Sequence, residues 1–408
     1  MRLLLLTLNL TLLIFPVFAK QQSPKMNNHV VLISHVNIVD VANNDIKNNQ
    51  HVLIVGDKIQ QISSVKPVLS ASASANAKIV DGRGKYLMAG LIDMHVHVFQ
   101  PAELYQLITH GVTTARIMYG LPETLEYRED IKQGVLIGPD LIVASPVINQ
   151  PSPYASSTFH RFVDSPEQAS KLVTKYAKQG FDLIKIYDGL QPEIFSAIVQ
   201  TAKEHDLPIA GHPSFYLSID EFIAEKPQSI EHIEMLYQAS LDYSKDASLL
   251  DKLAKKLAVH KIPVTTTLVV YDNLAKMAVE KQHFIDSLPI NYIHPLLKIL
   301  EQDNVDFITT VEKPQQWRDK ADYLGHIAKV LNENNVPLVI GSDGGAGYTI
   351  NGKSTIDEMV LLASYGLPIN DILRAATITP ALALKREQQI GIVAAGFTAN
   401  LILLASDP

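Results

Sequence analysis

Apolar positions along this chain recur with two different periods. Between residues 30 and 63 the runs VVLISHVNIVD and QHVLIVGDKIQQIS are short, rich in β-branched residues and separated by Asn-rich and Gly-Asp turn chemistry, a pattern of hairpins. From residue 87 onward, short apolar runs alternate with segments of helical spacing. The runs are LMAGLIDMHVHV, GVTTARIM, DLIVASPVI, DLIKIY, LPIAGH, QSIEHI, IPVTTTLVV and VPLVIGSD. Intervening segments such as SPEQASKLVTKYAKQG repeat apolar residues three and four apart, with Ser165 as a cap and Gly180 as a terminator. This alternation over about 260 residues predicts an α/β chain with a (β/α)8 TIM-like barrel over residues 87–387. The long connection 271–335, which holds Trp317, is expected to form a helical lid. The tail IGIVAAGFTANLILLASDP returns to β character. Residues 388–408 are therefore expected to pair with residues 20–86 in a small discontinuous β-sandwich domain, and SASASANA at 70–77 reads as a flexible surface loop.

Composition narrows the class. With 47% hydrophobic and 19% charged residues in 408, the chain can bury a large core. A formal charge of -7 and a pI near 6.0 offer no basic surface to nucleic acid. MRLLLLTLNLTLLIFPVFAK reads as a signal peptide over residues 1–19, cut after Ala19, so a periplasmic or secreted protein with no membrane association after cleavage is expected. Cysteine is absent, so any metal must be held by His, carboxylate or modified Lys.

Candidate chemistry begins at GLIDMHVHV. Positions i and i+2 of a strand face the same way, so His95 and His97 project together, and two buried imidazoles need a shared reason such as a divalent cation. Similar polar residues occur near the ends of other runs: Lys185, His212, His232 and Asp343. Each alone has a structural explanation: a lysine reaching solvent, a helix cap, a paired core histidine, a Gly-rich turn. Together they mark the strand ends at which barrel enzymes build their sites. A buried lysine amine is biased toward neutrality and can capture carbon dioxide as a carbamate, a two-oxygen anion able to bridge cations.

The ordered set GLIDMHVH, HGVTTAR, GFDLIKIYDGL, AGHPS, SIEHIEML, VIGSDGG and ILRAATITPALAL resembles the amidohydrolase superfamily, in particular its imidazolonepropionase-like and prolidase-like hydrolases. The resemblance implies two divalent metal ions, zinc first among the candidates. His95, His97 and Asp343 would hold one, His212 and His232 the other, with carboxylated Lys185 and a hydroxide between them, and Asp343 would be the catalytic proton shuttle. It also shows departures: Ala89 where proline is common, Ile117 where an acidic residue is frequent, Asn400 in place of aspartate, and a C-terminus that stops where relatives continue into another strand pair.

For substrate contact the loops offer His160, Arg161, Tyr187, Tyr216 and Tyr348. Arg161 would suit a carboxylate and hence a dipeptide or N-acyl amino acid. The expected activity is hydrolysis of a C–N bond in a small substrate, a cyclic amide included. Its alternatives are a lactone, ester or phosphotriester hydrolase on the same site and an inactive periplasmic binding protein. A homo-oligomer is compatible with all of these.

Overall fold

A computed structural model describes residues 29–70, 76–152 and 159–408. Residues 1–28, which include the expected signal peptide, most of the SASASANA stretch and part of the segment before His160 lie outside the described residues. The strands in chain order are β1 (Val30–Asp40), β2 (Asp45–Val55), β3 (Lys58–Ser63), β4 (Lys78–Asp81), β5 (Tyr86–Ala89), β6 (Leu91–Val96), β7 (Val112–Ile117) and β8 (Asp140–Val143). They continue with β9 (Val147–Asn149), β10 (His160–Phe162), β11 (Ile184–Ile186), β12 (Ile209–Gly211), β13 (Ser229–Ile230), β14 (Val264–Thr265), β15 (Leu338–Val339) and β16 (Leu401–Leu404).

The two ends of the chain share one six-stranded sheet, ordered β16-β5-β1-β2-β3 with β4 beside β1. Asn44 and Gly56, at φ 51° and 62°, turn the two hairpins. Residues leading into β16 also hydrogen-bond β3, with Ile59 N–H donating to Phe397 O at 2.9 Å, so the two edges of this sheet are tied. Val36, Ile38, Val52, Ile59 and Leu87 fill its separate apolar cluster. Ala89 pairs with Leu401 inside this sheet, Ile117 is buried in the main core, and Asn400 Nδ2 donates to Asp140 Oδ2 at 3.2 Å.

The rest of the structure is parallel. β10-β9-β11-β12-β13-β14-β15 form a seven-stranded sheet and β6-β7-β8 a three-stranded one. Hydrogen bonds join them on both sides: Met94 N–H donates to Ile340 O at 2.8 Å, and Ser145 N–H to Leu183 O at 2.9 Å. Helices follow the strands and bury their apolar faces against them. Pro166–Gln179, for example, starts at Ser165, whose hydroxyl accepts from Gln168 N–H, buries Ala169, Val173 and Tyr176, and ends at Gly180 in the left-handed region.

Three runs differ from their sequence pattern. LMAGLIDMHVHV divides at Gly90 into β5, which belongs to the six-stranded sheet of the chain ends, and β6, which belongs to the three-stranded one. DLIVASPVI breaks at Ser145-Pro146 into β8 and β9, which belong to different sheets. IPVTTTLVV yields only Val264–Thr265 as strand; Thr267 turns left-handed at φ 50°, and Leu268–Glu280 is helix. Leu268, Val269 and Val270 are buried on the helix, so their apolar run imitates a strand, while Glu358 accepts the free Val269 N–H at 2.7 Å. The connection before β15 is helical, with helices Gln282–Ser287, Pro295–Leu300, Gln302–Thr309 and Gln315–Glu333 following Leu268–Glu280. Among the described residues no helix is long and apolar enough to cross a membrane.

Candidate active site

Six polar side chains arrive at one cavity of about 240 Å³ from the C-terminal ends of the parallel strands: His95, His97, Lys185, His212, His232 and Asp343. His95 lies in β6 and His97 just beyond it, as the strand period requires, and their rings meet edge to face at 5.3 Å. Asp343 follows β15 with φ 52° and receives His97 Nε2 at 2.8 Å, while His95 Nε2 lies at 3.4 Å. The ligand atoms of His95, His97 and Asp343 all fall within 4.8 Å of one another. Gly341 permits this approach, since a Cβ there would stand 2.3 Å from Thr265 Cγ2 and 2.9 Å from His95 Cβ.

The other three residues form the opposite part of the wall. His232 stacks obliquely on His95 at 4.5 Å and meets His212 edge to face at 4.8 Å. Tyr187 lies flat on His212 at 3.8 Å, and His160 packs on Tyr187 at 4.4 Å. Lys185 is buried, and among the described residues neither its Nζ nor either ring nitrogen of His212 has a hydrogen-bond partner. Unpaired buried nitrogens of this kind are costly and point to a missing ligand. Burial lowers the Lys185 amine to about 8, with Arg116 adding to the effect, so part of it is neutral near neutral pH. Burial also pushes His95 down to about 3 and His160 to about 4, and holds His212 well below the usual imidazole range. Neutral imidazoles are metal-binding imidazoles. Burial works against ionised Asp343, yet His95 and His97 outweigh it and keep the carboxyl below its usual range.

A supporting layer fixes these groups. His95 Nδ1 donates to Glu231 Oε2 at 2.6 Å, which fixes Nε2 as the nitrogen that faces the cavity and Asp343. Glu231 also accepts from Arg116 Nη2 at 2.6 Å and from the Ser229 hydroxyl, and the Arg116 guanidinium outweighs burial to hold it ionised. His232 Nδ1 pairs with Thr267 Oγ1 at 2.8 Å. Asp93 accepts from His95 N–H and Ser342 N–H, both at 3.1 Å, and from Thr355 Oγ1 at 2.6 Å, tying β6 to the turn that carries Asp343.

Of the sequence-derived substrate candidates, His160 and Tyr187 line the cavity. Arg161 is exposed in a separate shallow groove with Lys171 and Lys175. Tyr216 is 53% exposed and outside the lining, and Tyr348 packs near Ile350 in a neighbouring pocket. Sequence reasoning missed Glu231, because strand alternation places residues 231 and 232 on opposite faces. His232 has φ 66°, which breaks the alternation and turns both inward. It also missed the outer wall of Phe99, Tyr119, Phe159, Leu297 and Glu301.

Comparison with known proteins decides the lineage. The model of the amidohydrolase family matches residues 86–408. The chain belongs to the amidohydrolase family. A dihydroorotase from Staphylococcus epidermidis is 27% identical over 107 residues, a match spanning 23% of this chain and 24% of that protein. Among solved structures, a bottromycin amidohydrolase superposes with a TM-score of 0.74 at 22% identity, covering 92% of this chain and 81% of that one. A Xaa-Pro dipeptidase with methionine in its active site superposes at 0.70, with 19% identity and 93% and 94% of the two chains covered. A prolidase complexed with N-methylphosphonate-L-proline gives 0.68 at 20% identity, with 93% of each covered. This amidohydrolase-family chain therefore shares the fold of enzymes that act on C–N bonds.

Proposed function

We propose that the protein is a binuclear metal-dependent hydrolase that cleaves an amide or peptide bond of a small substrate. The observation that carries this is the convergence of His95, His97, Lys185, His212, His232 and Asp343 on one cavity, with the Lys185 and His212 nitrogens buried and unpaired. Those donors fit divalent cations: His95, His97 and Asp343 for one, His212 and His232 for the other, with Lys185 as a carbamate between them. Zinc suits the nitrogen-rich set. The cations would supply Lewis acidity and a water that is deprotonated near neutral pH.

The chain's own groups do the rest. Glu231 and Thr267 fix which ring nitrogens of His95 and His232 face the cavity. Asp343, held ionised by His95 and His97, accepts the proton of the attacking water on its carboxylate and delivers it to the leaving nitrogen. His160 and Tyr187 form the wall beside His212. We read the two joined parallel sheets as a (β/α)8 barrel, the terminal strands as an accessory β-domain, and residues 1–19 as a signal for export to the periplasm or medium.

The test is chelation followed by a screen of dipeptides, N-acyl amino acids, cyclic amides, lactones and phosphotriesters. Amide turnover lost on chelation and restored by zinc is expected. Turnover indifferent to chelation, or confined to lactones or phosphotriesters, contradicts the reading.

A further inference from the structure

Beyond the histidine wall, the cavity presents three aromatic rings and one carboxylate. Phe99 and Tyr119 lie 6.3 Å apart, Tyr119 and Phe159 meet edge to face at 5.5 Å, and Leu297 and Glu301 approach from the helical connection before β15. Glu301 is not consumed by its own surroundings. It stands at the N-cap of helix Gln302–Thr309 but makes no side-chain cap hydrogen bond, and among the described residues its carboxylate accepts from Asn304 Nδ2 at 3.0 Å and joins no ion pair. No arginine lines the cavity among the described residues, and its one lysine is Lys185. Arg161 faces a different groove. Among the described residues no cationic side chain stands on the outer wall to neutralise a substrate carboxylate, whereas ring faces and a carboxylate together attract a cation.

We propose that this outer wall is a subsite for a cationic amine or quaternary ammonium, so that the substrate is an amide carrying an apolar group and a positive end instead of a free carboxylate. The proposal rests on the amide-hydrolase reading and names the substrate class of that same site. Glu301 is the specificity-determining residue. Its carboxylate supplies the charge, and the rings of Phe99, Tyr119 and Phe159 replace part of the ammonium's hydration at low cost.

The test is a matched set of amides sharing one scissile bond and one aromatic group and ending in trimethylammonium, tert-butyl or carboxylate. The first two have the same shape and differ in charge. The expected kcat/KM order is cation, neutral, anion, with about a tenfold gap between the first two carried by KM. Glu301→Gln should collapse that ratio, and Glu301→Lys should invert the order toward the carboxylate. Because each ratio is read within one preparation, partial misfolding of a variant cancels. Equal kcat/KM for the cation and its isostere in the native protein, or a ratio unmoved by Glu301→Gln, overturns the proposal. If no amide in the set is hydrolysed, the amide-hydrolase reading fails by itself, and calorimetric binding of the same compounds decides this one: tighter cation binding supports it and equal binding overturns it.

Discussion

The two halves of the histidine wall differ in how they are satisfied. On the β6 and β15 side, His97 bonds Asp343, Glu231 holds His95, and Asp93 ties both strands together. On the β11 and β12 side, Lys185 Nζ and both His212 nitrogens find no partner among the described residues although they are buried. The first half is built to hold its shape with or without a guest, whereas the second carries a desolvation cost that only a guest removes. The contrast teaches that a preorganised site need not be uniformly stable: one half supplies geometry and the other supplies demand for ligand.

The most damaging change should come from the satisfied half. Asp343→Asn keeps a coordinating oxygen but cannot take and return a proton, so kcat for an amide should fall on the order of a hundredfold to ten-thousandfold while most metal is retained. The loss should shrink for an activated ester, whose leaving oxygen needs little protonation. Equal losses on both substrates would assign Asp343 a structural role.

The next effect concerns a buried carboxyl outside both halves. Burial raises Glu358 to about 7, and among the described residues one of its oxygens lacks a hydrogen-bond partner. Its pKa is above the unfolded value, so its contribution to stability is complete below about pH 4.5 and is lost as pH rises toward 7. The change across that window should be on the order of 3 kcal/mol, and Glu358→Gln should flatten it in thermal melts from pH 4 to 8. Parallel curves for the two proteins would show that burial alone does not set the cost.

Lys185→Met sharpens the contrast directly. Replacing an unpaired buried amine by an apolar chain of similar length should stabilise the metal-free protein by about 1–3 kcal/mol in denaturant titrations while abolishing high-affinity binding of the second cation. His97→Ala, in the satisfied half, should stabilise nothing. Stabilisation by both, or by neither, would erase the distinction between the halves. The smallest effect is expected at Arg161, which is exposed and outside the cavity: Arg161→Ala should change kcat/KM by no more than about twofold.

The convergence of His95, His97, Lys185, His212, His232 and Asp343 on one cavity was legible in sequence for a physical reason. A charged or imidazole side chain at the end of an apolar run violates the burial rule, and six such violations at the ends of five strands have one common solution. The alternation of runs and helices likewise anticipated the parallel sheets, and the return to β character anticipated a strand in the tail, although β16 pairs with β5 at Tyr86–Ala89, almost wholly beyond the residues 20–86 expected to receive it. Periodicity failed where backbone leaves its regular region. His232 at φ 66° brought Glu231 inward unseen, and Thr267 at φ 50° converted an apparent strand into a helix start. Loop side chains carry no period at all, so Tyr216 and Tyr348 could be chosen only by chemical type; Arg161 was read as a loop residue too, but it lies in β10 with its side chain outside the cavity. Phe99 and Glu301 were passed over because nothing near them in sequence links them.

The most direct measurement is metal content per chain combined with anomalous diffraction from crystals of the purified protein. The account predicts two metal ions per chain, one contacting His95, His97 and Asp343 and the other His212 and His232, with density for a carboxylated Lys185 between them. A fully active protein that binds no metal, or one in which Lys185 remains a free ammonium with His212 and His232 unligated, would contradict it.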